Sequence, residues 1–190
     1  MLHKQFYRSV LAALFGLCSG VIAMADEPFR LKSPIFEDNG VMPRKFGGVS
    51  SANKNCIGEN VSVPLTWTPG PAGTKSYVLM MVDLAGRGGT GVDHWLIYGI
   101  PADVTALKEG EHSKPHPRFL GGRSAADTDQ YFGPCPAPGS GLHHYVFTLV
   151  ATDLEPDALK AGLNRTDLMK AITGRAKAVT DFVLRQEYGS

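Results

Sequence analysis

Three apolar stretches stand out in the pattern of hydrophobic and polar positions, and they predict the central strands of the fold. They cover residues 77–82, 95–100 and 145–150. Each is apolar at successive positions rather than alternating, which is typical of strands that are covered on both faces. Weaker strand candidates lie at residues 61–63 and 65–67. The pattern favours a sandwich of sheets whose central strands are buried.

Turn-forming residues separate these stretches, and helical character appears only near the C-terminus. Thr166 is a candidate cap for a helix over residues 167–172, which Gly174 would end. A second short helix is predicted over residues 175–179. Because strands come first and helices last, we expect a single, mainly β domain with a β-sandwich-like fold and short C-terminal helices.

The N-terminal segment has the pattern of a signal peptide. Lys4 and Arg8 precede an apolar stretch over residues 10–23, and the small residues Ala23 and Ala25 occupy the positions that a signal peptidase reads. The apolar stretch is shorter than the roughly twenty residues of a membrane span. We therefore expect cleavage after Ala25 and a periplasmic or secreted protein.

The predicted signal peptide covers residues 1–25, and the mature domain covers residues 26–190. No transmembrane segment is expected in the mature chain. A lipid anchor is not expected either, because Leu17 stands before Cys18, where a small residue is needed.

Cysteine usage agrees with export. Cys56 and Cys135 are the two cysteines outside the predicted signal peptide, and they would mature in an oxidising compartment. We expect them to form a disulfide, with a pair of buried thiols as the alternative.

The charge balance argues against a polyanionic partner. The chain has 19 Lys and Arg against 18 Asp and Glu, which gives a formal net charge of +1. Its densest basic spots are short, such as Arg44-Lys45, whereas proteins that follow a phosphate backbone carry a basic stripe. Nucleic acid is therefore not an expected partner.

Chemically versatile residues interrupt the apolar stretches at three strand ends. Asp83 closes the first predicted strand, His94 opens the second and His143 opens the third. The period of two places Tyr145 on the same face as His143, and His144 on the other face. These residue types suit a shared pocket, with hydrogen-bonded core positions as the alternative.

A series of short motifs carries a family resemblance. Residues 56–67 read Cys-Ile-Gly-Glu-Asn-Val-Ser-Val-Pro-Leu-Thr-Trp. This segment is similar to the Cys-x-Gly-Glu-Asn-x-Ser-x-Pro-Leu-x-Trp signature of the bacterial Raf-kinase-inhibitor-like branch of the phosphatidylethanolamine-binding protein family. Further motifs follow in register at residues 71–76, 94–95, 100–104, 133–136 and 141–147. The resemblance spans residues 33–188.

The resemblance implies one β-rich domain with a small surface pocket that accepts an anion or a phospholipid head group, without a cofactor. The pocket would be lined by an acid, two imidazoles and a phenol, here Asp83, His94, His143 and Tyr145. Its rim would carry prolines and a glycine-rich segment, here Pro134, Pro136, Gly139 and Gly141. Protonated imidazoles and a phenol can hold a phosphate-like anion. We expect Asp83 to raise the pKa of His94 so that this imidazole stays charged.

Two segments depart from the family pattern. Residues 83–87 read Asp-Leu-Ala-Gly-Arg where the family usually has Asp-Pro-Asp-Ala-Pro. The loop loses a carboxylate and both prolines and gains Arg87, so we expect a more flexible loop and a ligand with greater negative charge. Residues 124–130 place Asp127 and Asp129 near the expected rim. These two acids would disfavour a more negatively charged ligand, which opposes the effect of Arg87.

Other chemistries find weaker support. Two histidines and a carboxylate are able to bind a metal, but the resemblance implies none, so no metal is expected. Serine hydrolysis is disfavoured because Ser140 lies on a glycine-rich loop and no Gly-x-Ser-x-Gly elbow is present. His112 and His116 are expected on a solvated loop rather than as a ligand pair.

We therefore expect an exported binding protein for a small anion or phospholipid head group, and not an enzyme. The alternative is an extracytoplasmic protein-interaction module that inhibits a kinase or a protease through the loops of the pocket rim. Arg87 and Phe119 would then contact the protein target.

Overall fold

Nine β-strands form two sheets in the computed structural model, which describes residues 27–190. In chain order the strands are β1 (Leu31–Lys32), β2 (Gly40–Val41), β3 (Leu65–Trp67), β4 (Ser76–Asp83), β5 (Val92–Pro101), β6 (Ala106–Leu107), β7 (Leu120–Gly121), β8 (His143–Thr152) and β9 (Ala176–Gln186). The helical elements are a 3-10 turn at Arg44–Phe46, the short turn α1 (Gly86–Gly89) and the helix α2 (Arg165–Ile172). The predicted signal peptide and its cleavage site after Ala25 lie outside the described residues.

The larger sheet has six strands in the order β2-β9-β8-β4-β5-β7, and the smaller has three in the order β1-β3-β6. Neighbouring strands are antiparallel except β2 and β9, which are parallel. The three apolar stretches of the sequence form β4, β5 and β8, which adjoin one another in the larger sheet. The prediction of a mainly β, sandwich-like domain is confirmed.

Both faces of the larger sheet are covered, which explains why its central strands are apolar at successive positions. One face packs against the smaller sheet, and its core includes Trp67, Tyr77 and Phe147. The opposite face packs against α2, where Leu168 and Ile172 join side chains from the alternate strand positions. All eight residues of β4 are buried. Burial of this much apolar surface is the main stabilising contribution to the domain.

The prediction of a helix over residues 175–179 is wrong. Residues 176–179 belong to the start of β9, which pairs with β8 along most of its length, and Arg175 lies in the turn before it. The β-branched Val179, Thr180 and Val183 suit a strand, and burial of Phe182 and other alternate side chains fixes it in the sheet. One helix therefore precedes a C-terminal strand, instead of helices ending the chain.

Local details of two other elements also differ from expectation. The N-terminal cap of α2 is Asn164 and not Thr166. Oδ1 of Asn164 accepts a hydrogen bond from the Asp167 N–H at 2.9 Å. Residues 61–63 form no strand, whereas the neighbouring candidate is β3.

A disulfide joins Cys56 and Cys135, as predicted, with their Cα atoms 4.6 Å apart. It bridges a separation of 79 residues between the segment before β3 and the segment before β8. Closing a loop of this length in the unfolded chain contributes about 4 kcal/mol to stability in the chain-entropy treatment. Within residues 27–190, no helix is long and apolar enough to cross a membrane.

Candidate functional site

Three of the predicted site residues lie on one face at one end of the larger sheet. Asp83 ends β4 and lies opposite Tyr145 of the neighbouring strand β8. Paired residues of adjacent strands project to the same face, and His143 lies two positions before Tyr145, so it shares that face. Nδ1 of His143 is 2.7 Å from Oδ2 of Asp83. The register of two strands thus brings the carboxylate and the imidazole together.

The Asp83 carboxylate is fixed by its own loop. Its Oδ1 accepts hydrogen bonds from the N–H groups of Ala85 at 3.0 Å and Gly86 at 3.1 Å. Since Oδ2 accepts from Nδ1 of His143, both oxygens of this nearly buried carboxylate have donors. The altered loop therefore keeps the acid in place by backbone contacts, although both family prolines are absent.

Gly86 is required in this loop by close packing. A Cβ atom at this position would come within 3.0 Å of Oδ2 of Asp83 and 2.6 Å of Cγ2 of Val92. The contact with Val92 would force a displacement where the end of β4 meets the start of β5. The glycine is therefore part of how the site is positioned.

His94 reaches the site through an irregularity in β5. The pairing of β4 with β5 passes from Met81–Trp95 to Val82–Asp93 and so skips His94. A bulge of this kind re-aims a side chain at the edge of regular pairing. The sequence pattern alone gives no sign of this bulge, because the register between two strands is set by their pairing and not by the local sequence.

Phe132 holds His94 by its backbone and its ring. Nδ1 of His94 donates to the Phe132 carbonyl at 2.8 Å, and the His94 carbonyl accepts from the Phe132 N–H at 3.0 Å. The two rings stack with centroids 5.6 Å apart. On another side the ring of Tyr145 meets His94 edge-on at 5.3 Å.

The expectation that His94 stays charged is wrong, because this imidazole is buried. Burial lowers the pKa of His94, and it outweighs the Phe132 carbonyl and the charges of Asp83 and Asp93, which act to raise it. Asp83 thus acts in the expected direction but does not keep this imidazole charged, and its direct partner is His143. A neutral ring with the proton on Nδ1 leaves Nε2 of His94 as an acceptor.

Tyr145 joins the two histidines. Its ring centroid lies 5.3 Å from that of His94 and 6.4 Å from that of His143. Burial, and secondly the charge of Asp83, raise the pKa of Tyr145, so the phenol keeps its proton. Within residues 27–190 no hydrogen bond engages this hydroxyl, which leaves it able to donate to a ligand.

The glycine-rich loop approaches His143 through its serine. Gly139 and Gly141 both have a positive φ, of 77° and 76°, and Ser140 lies between them. Oγ of Ser140 is 3.1 Å from Nε2 of His143 and 2.8 Å from the carbonyl oxygen of Ala137. Sequence reasoning placed the glycines at the rim but missed this contact, for which the only signal is the spacing of three residues between the serine and the histidine.

The two rim prolines lie at a different cleft. Pro134 and Pro136 line a space of about 210 Å³ together with Arg44 and Gln186. Neither Asp83 nor any of its three partner side chains lines that cleft. The contact between this segment and the Asp83 site is made earlier, by Phe132.

Three other predicted roles meet the structure differently. Arg87 is exposed on α1, as a contact residue would be, whereas Phe119 is buried and stacks on His116 at 4.3 Å. Phe119 is therefore not an available surface contact.

His112 is also buried, at 1% exposure, so the prediction of a solvated position for this residue is wrong. Burial and the neighbouring His116 lower the pKa of His112 to about 4.

The described part of the chain contains no group of three or more His, Cys, Asp and Glu side chains arranged to hold a metal ion.

Comparison with known proteins gives one consistent result. Residues 32–185 match the family described as phosphatidylethanolamine-binding protein. A putative lipoprotein of Mycobacterium tuberculosis, LppC, is 36% identical over 169 residues, which cover 84% of this chain and 75% of that protein. A UPF0098 protein of Pyrococcus horikoshii is 34% identical over 177 residues, which cover 90% of this chain and 83% of that protein.

A solved structure gives the same fold. The crystal structure of Escherichia coli YbcL, described as a new member of the mammalian PEBP family, aligns with a TM-score of 0.74. The alignment covers 84% of this chain and 98% of YbcL at 24% sequence identity. At this identity the similarity establishes the shared fold.

Proposed function

Since this chain belongs to the phosphatidylethanolamine-binding protein family, we propose that it binds a small phosphate-bearing anion, such as a phospholipid head group. The binding site is the cluster of Asp83, His94, His143 and Tyr145. The observation that carries the proposal is the 2.7 Å contact between Asp83 and His143 beside two further ligand-competent side chains. Binding of this kind requires no cofactor and no chemical step.

His143 supplies the second imidazole of the site. Its Nδ1 is 2.7 Å from Oδ2 of Asp83, so the carboxylate fixes the orientation of the ring and leaves Nε2 facing outward from that contact. The protonated ring donates from Nε2 as well as Nδ1, and a charge-assisted hydrogen bond to a phosphate oxygen is stronger than a neutral one. Tyr145 adds a second donor through its protonated phenol.

His94 gives the site a preference for an anion that still carries a proton or an ammonium group. Its Nδ1 donates to Phe132, so Nε2 of the neutral ring is an acceptor. Inorganic phosphate retains an O–H near neutral pH, and the ammonium group of phosphoethanolamine carries N–H donors, whereas sulfate has neither. The site should therefore bind phosphate in preference to sulfate.

Binding measurements on matched histidine variants test the proposal. Isothermal titration calorimetry of the full chain with phosphoethanolamine should show saturable binding, which His143→Ala weakens by about 10- to 100-fold, the value of one charge-assisted hydrogen bond. His144→Ala is the matched control, because its side chain is exposed on the opposite face of β8. Equal affinity of the two variants would show that the anion binds elsewhere, and binding of sulfate as tight as phosphate would remove the role given to His94.

Export is part of the same proposal. The disulfide between Cys56 and Cys135 is typical of oxidising compartments, and the similar LppC is named a putative lipoprotein. We therefore expect cleavage after Ala25 and a periplasmic or secreted protein, as the sequence of residues 1–25 indicates. Mass spectrometry of the protein from a bacterial host should give an N-terminus at Asp26, and a chain that retains residues 1–25 would contradict it.

A second candidate function is inhibition of an extracytoplasmic kinase or protease through surface loops. The observation in its favour is the turn after β4, where Leu84 is exposed by 58% beside the exposed cation of Arg87. An apolar side chain next to a charge is typical of contact surfaces. If a protein target binds there, Leu84→Ala and Arg87→Ala should weaken the complex, whereas His143→Ala should leave it unchanged.

A further inference from the structure

Asp83, His143 and Ser140 form a continuous hydrogen-bond series at the edge of the larger sheet. Oδ2 of Asp83 is 2.7 Å from Nδ1 of His143, and Nε2 of the same ring is 3.1 Å from Oγ of Ser140. We propose that Ser140 is a nucleophile activated by His143 and Asp83, and that the protein cleaves small carboxylic esters. This activity goes beyond anion binding and does not depend on it.

The hydrogen bonds around Asp83 determine which ring nitrogen of His143 acts as the base. Oδ1 of Asp83 is already engaged by two backbone N–H groups, and Oδ2 accepts the proton that Nδ1 of His143 carries. In the neutral ring Nε2 then has a lone pair. That lone pair is on the nitrogen that contacts Ser140. Asp83 is thus the orienting acid, His143 the base and Ser140 the nucleophile. Serine hydrolases use the same three roles in the same order.

The acid and the serine have the environments that these roles require. The Asp83 side chain is only 6% exposed, so it orients the imidazole out of contact with bulk water, and the His143 side chain is 15% exposed. Ser140 lies on the exposed loop between β7 and β8, where a substrate is able to approach. The loop has open space at both flanking glycines, since a Cβ atom at Gly139 or Gly141 would meet nothing within 4 Å.

The loop also offers donors for the negative charge of a tetrahedral intermediate. Within residues 27–190 the N–H groups of Gly139 and Gly141 make no hydrogen bond to the protein. Free backbone N–H groups beside a nucleophile stabilise an oxyanion as it develops. The Ser140 hydroxyl donates to the Ala137 carbonyl at 2.8 Å, so its proton has to turn from that oxygen to Nε2 of His143, 3.1 Å away, before the serine attacks.

The absence of a Gly-x-Ser-x-Gly elbow does not exclude this chemistry. The same constellation of side chains recurs on unrelated folds with different chain orders, so it is recognised by geometry rather than by motif. In this chain the serine precedes the histidine by three residues, and the loop at Gly139–Gly141 replaces the strand-to-helix turn. The sequence pattern therefore disfavoured an arrangement that the fold brings about.

The reaction proceeds in two balanced steps. Oγ of Ser140 attacks the ester carbonyl carbon while Nε2 of His143 takes the hydroxyl proton. The carbon–oxygen bond to the leaving group then breaks, and the departing alkoxide receives that proton as the alcohol. Water attacks the acyl-serine with His143 again as the base, the acyl–Oγ bond breaks, and the proton returns to Oγ. The sum is ester and water to acid and alcohol, and Asp83 stays ionised throughout.

The test uses p-nitrophenyl acetate with the full 190-residue chain, followed by peptide mass spectrometry. We expect release of p-nitrophenol, an acetyl group on Ser140 during turnover, and loss of both in Ser140→Ala. Ser51→Ala is the matched control, since this exposed serine is remote in sequence from the histidine, and it should react like wild type. His143→Gln should slow acetylation by at least about 100-fold, the lower range for a general base.

A pH profile distinguishes a nucleophile from a serine that only holds the loop. The acetylation rate of the wild type should rise with pH, as it does for a reaction that depends on a general base, and His143→Gln should lose this dependence while it keeps its circular dichroism spectrum. Acetylation confined to lysine or histidine side chains, or an unchanged rate in Ser140→Ala, would overturn the inference. Calorimetry of the wild type with phosphoethanolamine is a separate readout, so failure of ester cleavage and failure of anion binding are distinguishable.

Discussion

The carboxylate of Asp83 accepts a hydrogen bond from Nδ1 of His143 at 2.7 Å, between residues that are 60 positions apart in the chain. Pairing of β4 with β8 makes this contact, because Asp83 lies opposite Tyr145 in the register. The same pair orients the imidazole for anion binding and for the proposed proton transfer. Which of the two it supports at a given moment depends on the proton on Nε2, since the protonated ring donates and the neutral ring accepts.

The Tyr145 hydroxyl should contribute to ligand binding and not to stability. Within residues 27–190 it makes no hydrogen bond, so Tyr145→Phe leaves no protein group unpaired. We expect phosphoethanolamine to bind about 3- to 10-fold more weakly, the value of one neutral hydrogen bond. Calorimetry gives the affinity and urea unfolding the stability. A loss of stability without a loss of affinity would contradict the role of Tyr145 as a ligand donor.

Gly86 should be essential to the position of Asp83. In Gly86→Ala the new methyl group meets a methyl of Val92 at 2.6 Å, which is closer than real atoms approach, and it meets Oδ2 of Asp83 at 3.0 Å, which is tight. We expect destabilisation by about 1–3 kcal/mol, as for overpacking elsewhere, and weaker phosphoethanolamine binding. Urea unfolding and calorimetry measure the two effects, and Arg87→Ala on the same exposed turn should change neither by much. A stable Gly86→Ala variant with full affinity would show that Asp83 need not be held where it lies.

His112 should make the protein less stable in acid. Its pKa is lowered to about 4 in the folded state, whereas an unfolded histidine titrates near 6.5. The unfolded chain therefore binds the proton first, and stability is lost as the pH falls from about 6.5 to about 4, by roughly 3 kcal/mol over the whole range. The lowered pKa of His94 acts in the same direction. Urea unfolding at pH 7 and at pH 5 measures this loss.

His112→Phe should remove that part of the pH dependence. Neither ring nitrogen of His112 has a hydrogen-bond partner among residues 27–190, and the ring lies among aromatic neighbours, Trp95, His116 and Phe119. We expect Phe to raise the free energy of unfolding at pH 7 by about 1 kcal/mol, because an unpaired buried polar group is lost. The exposed His144→Phe is the control. If His112→Phe loses as much stability between pH 7 and pH 5 as the wild type does, other groups cause the loss.

Asn164 should stabilise α2, and Thr166 should not. The Asn164 side chain accepts from the Asp167 N–H at 2.9 Å, so Asn164→Ala should cost about 1 kcal/mol. Thr166→Ala, the position favoured by the sequence pattern, should be within about 0.5 kcal/mol of wild type. Urea unfolding of the two variants is sufficient. The reverse order would restore Thr166 as the cap.

The parts of the site that depend on strand periodicity could be predicted from the sequence. Asp83, His143 and Tyr145 all lie at ends of strongly apolar stretches, and the alternation of side chains along a strand is enough to place His143 and Tyr145 on one face. Adjacent pairing of β4 and β8 adds Asp83 to that face. The apolar stretches are recognisable because both faces of the larger sheet are covered.

The parts of the fold and of the site that depend on long-range packing could not be predicted from the sequence. Residues 176–178 read Ala-Lys-Ala, which favours a helix locally, and only pairing with β8 makes them a strand. The burial that lowers the pKa of His94 arises from Phe132 and Tyr145, which are distant in the chain. His112 looked solvated among charged and proline residues, yet it packs beneath Trp95 and Phe119. Contacts of this kind follow from the path of loops rather than from local sequence.

The most direct measurement is a histidine-detected NMR titration of the protein with phosphoethanolamine, with His143→Ala used to assign its resonance. We expect saturable shifts at His94 and His143 with a single affinity, while the exposed His144 stays unchanged and serves as the internal reference. Equal small shifts at all histidines, or no shift at His94 and His143 up to millimolar ligand, would contradict the assignment of an anion-binding site to Asp83, His94, His143 and Tyr145.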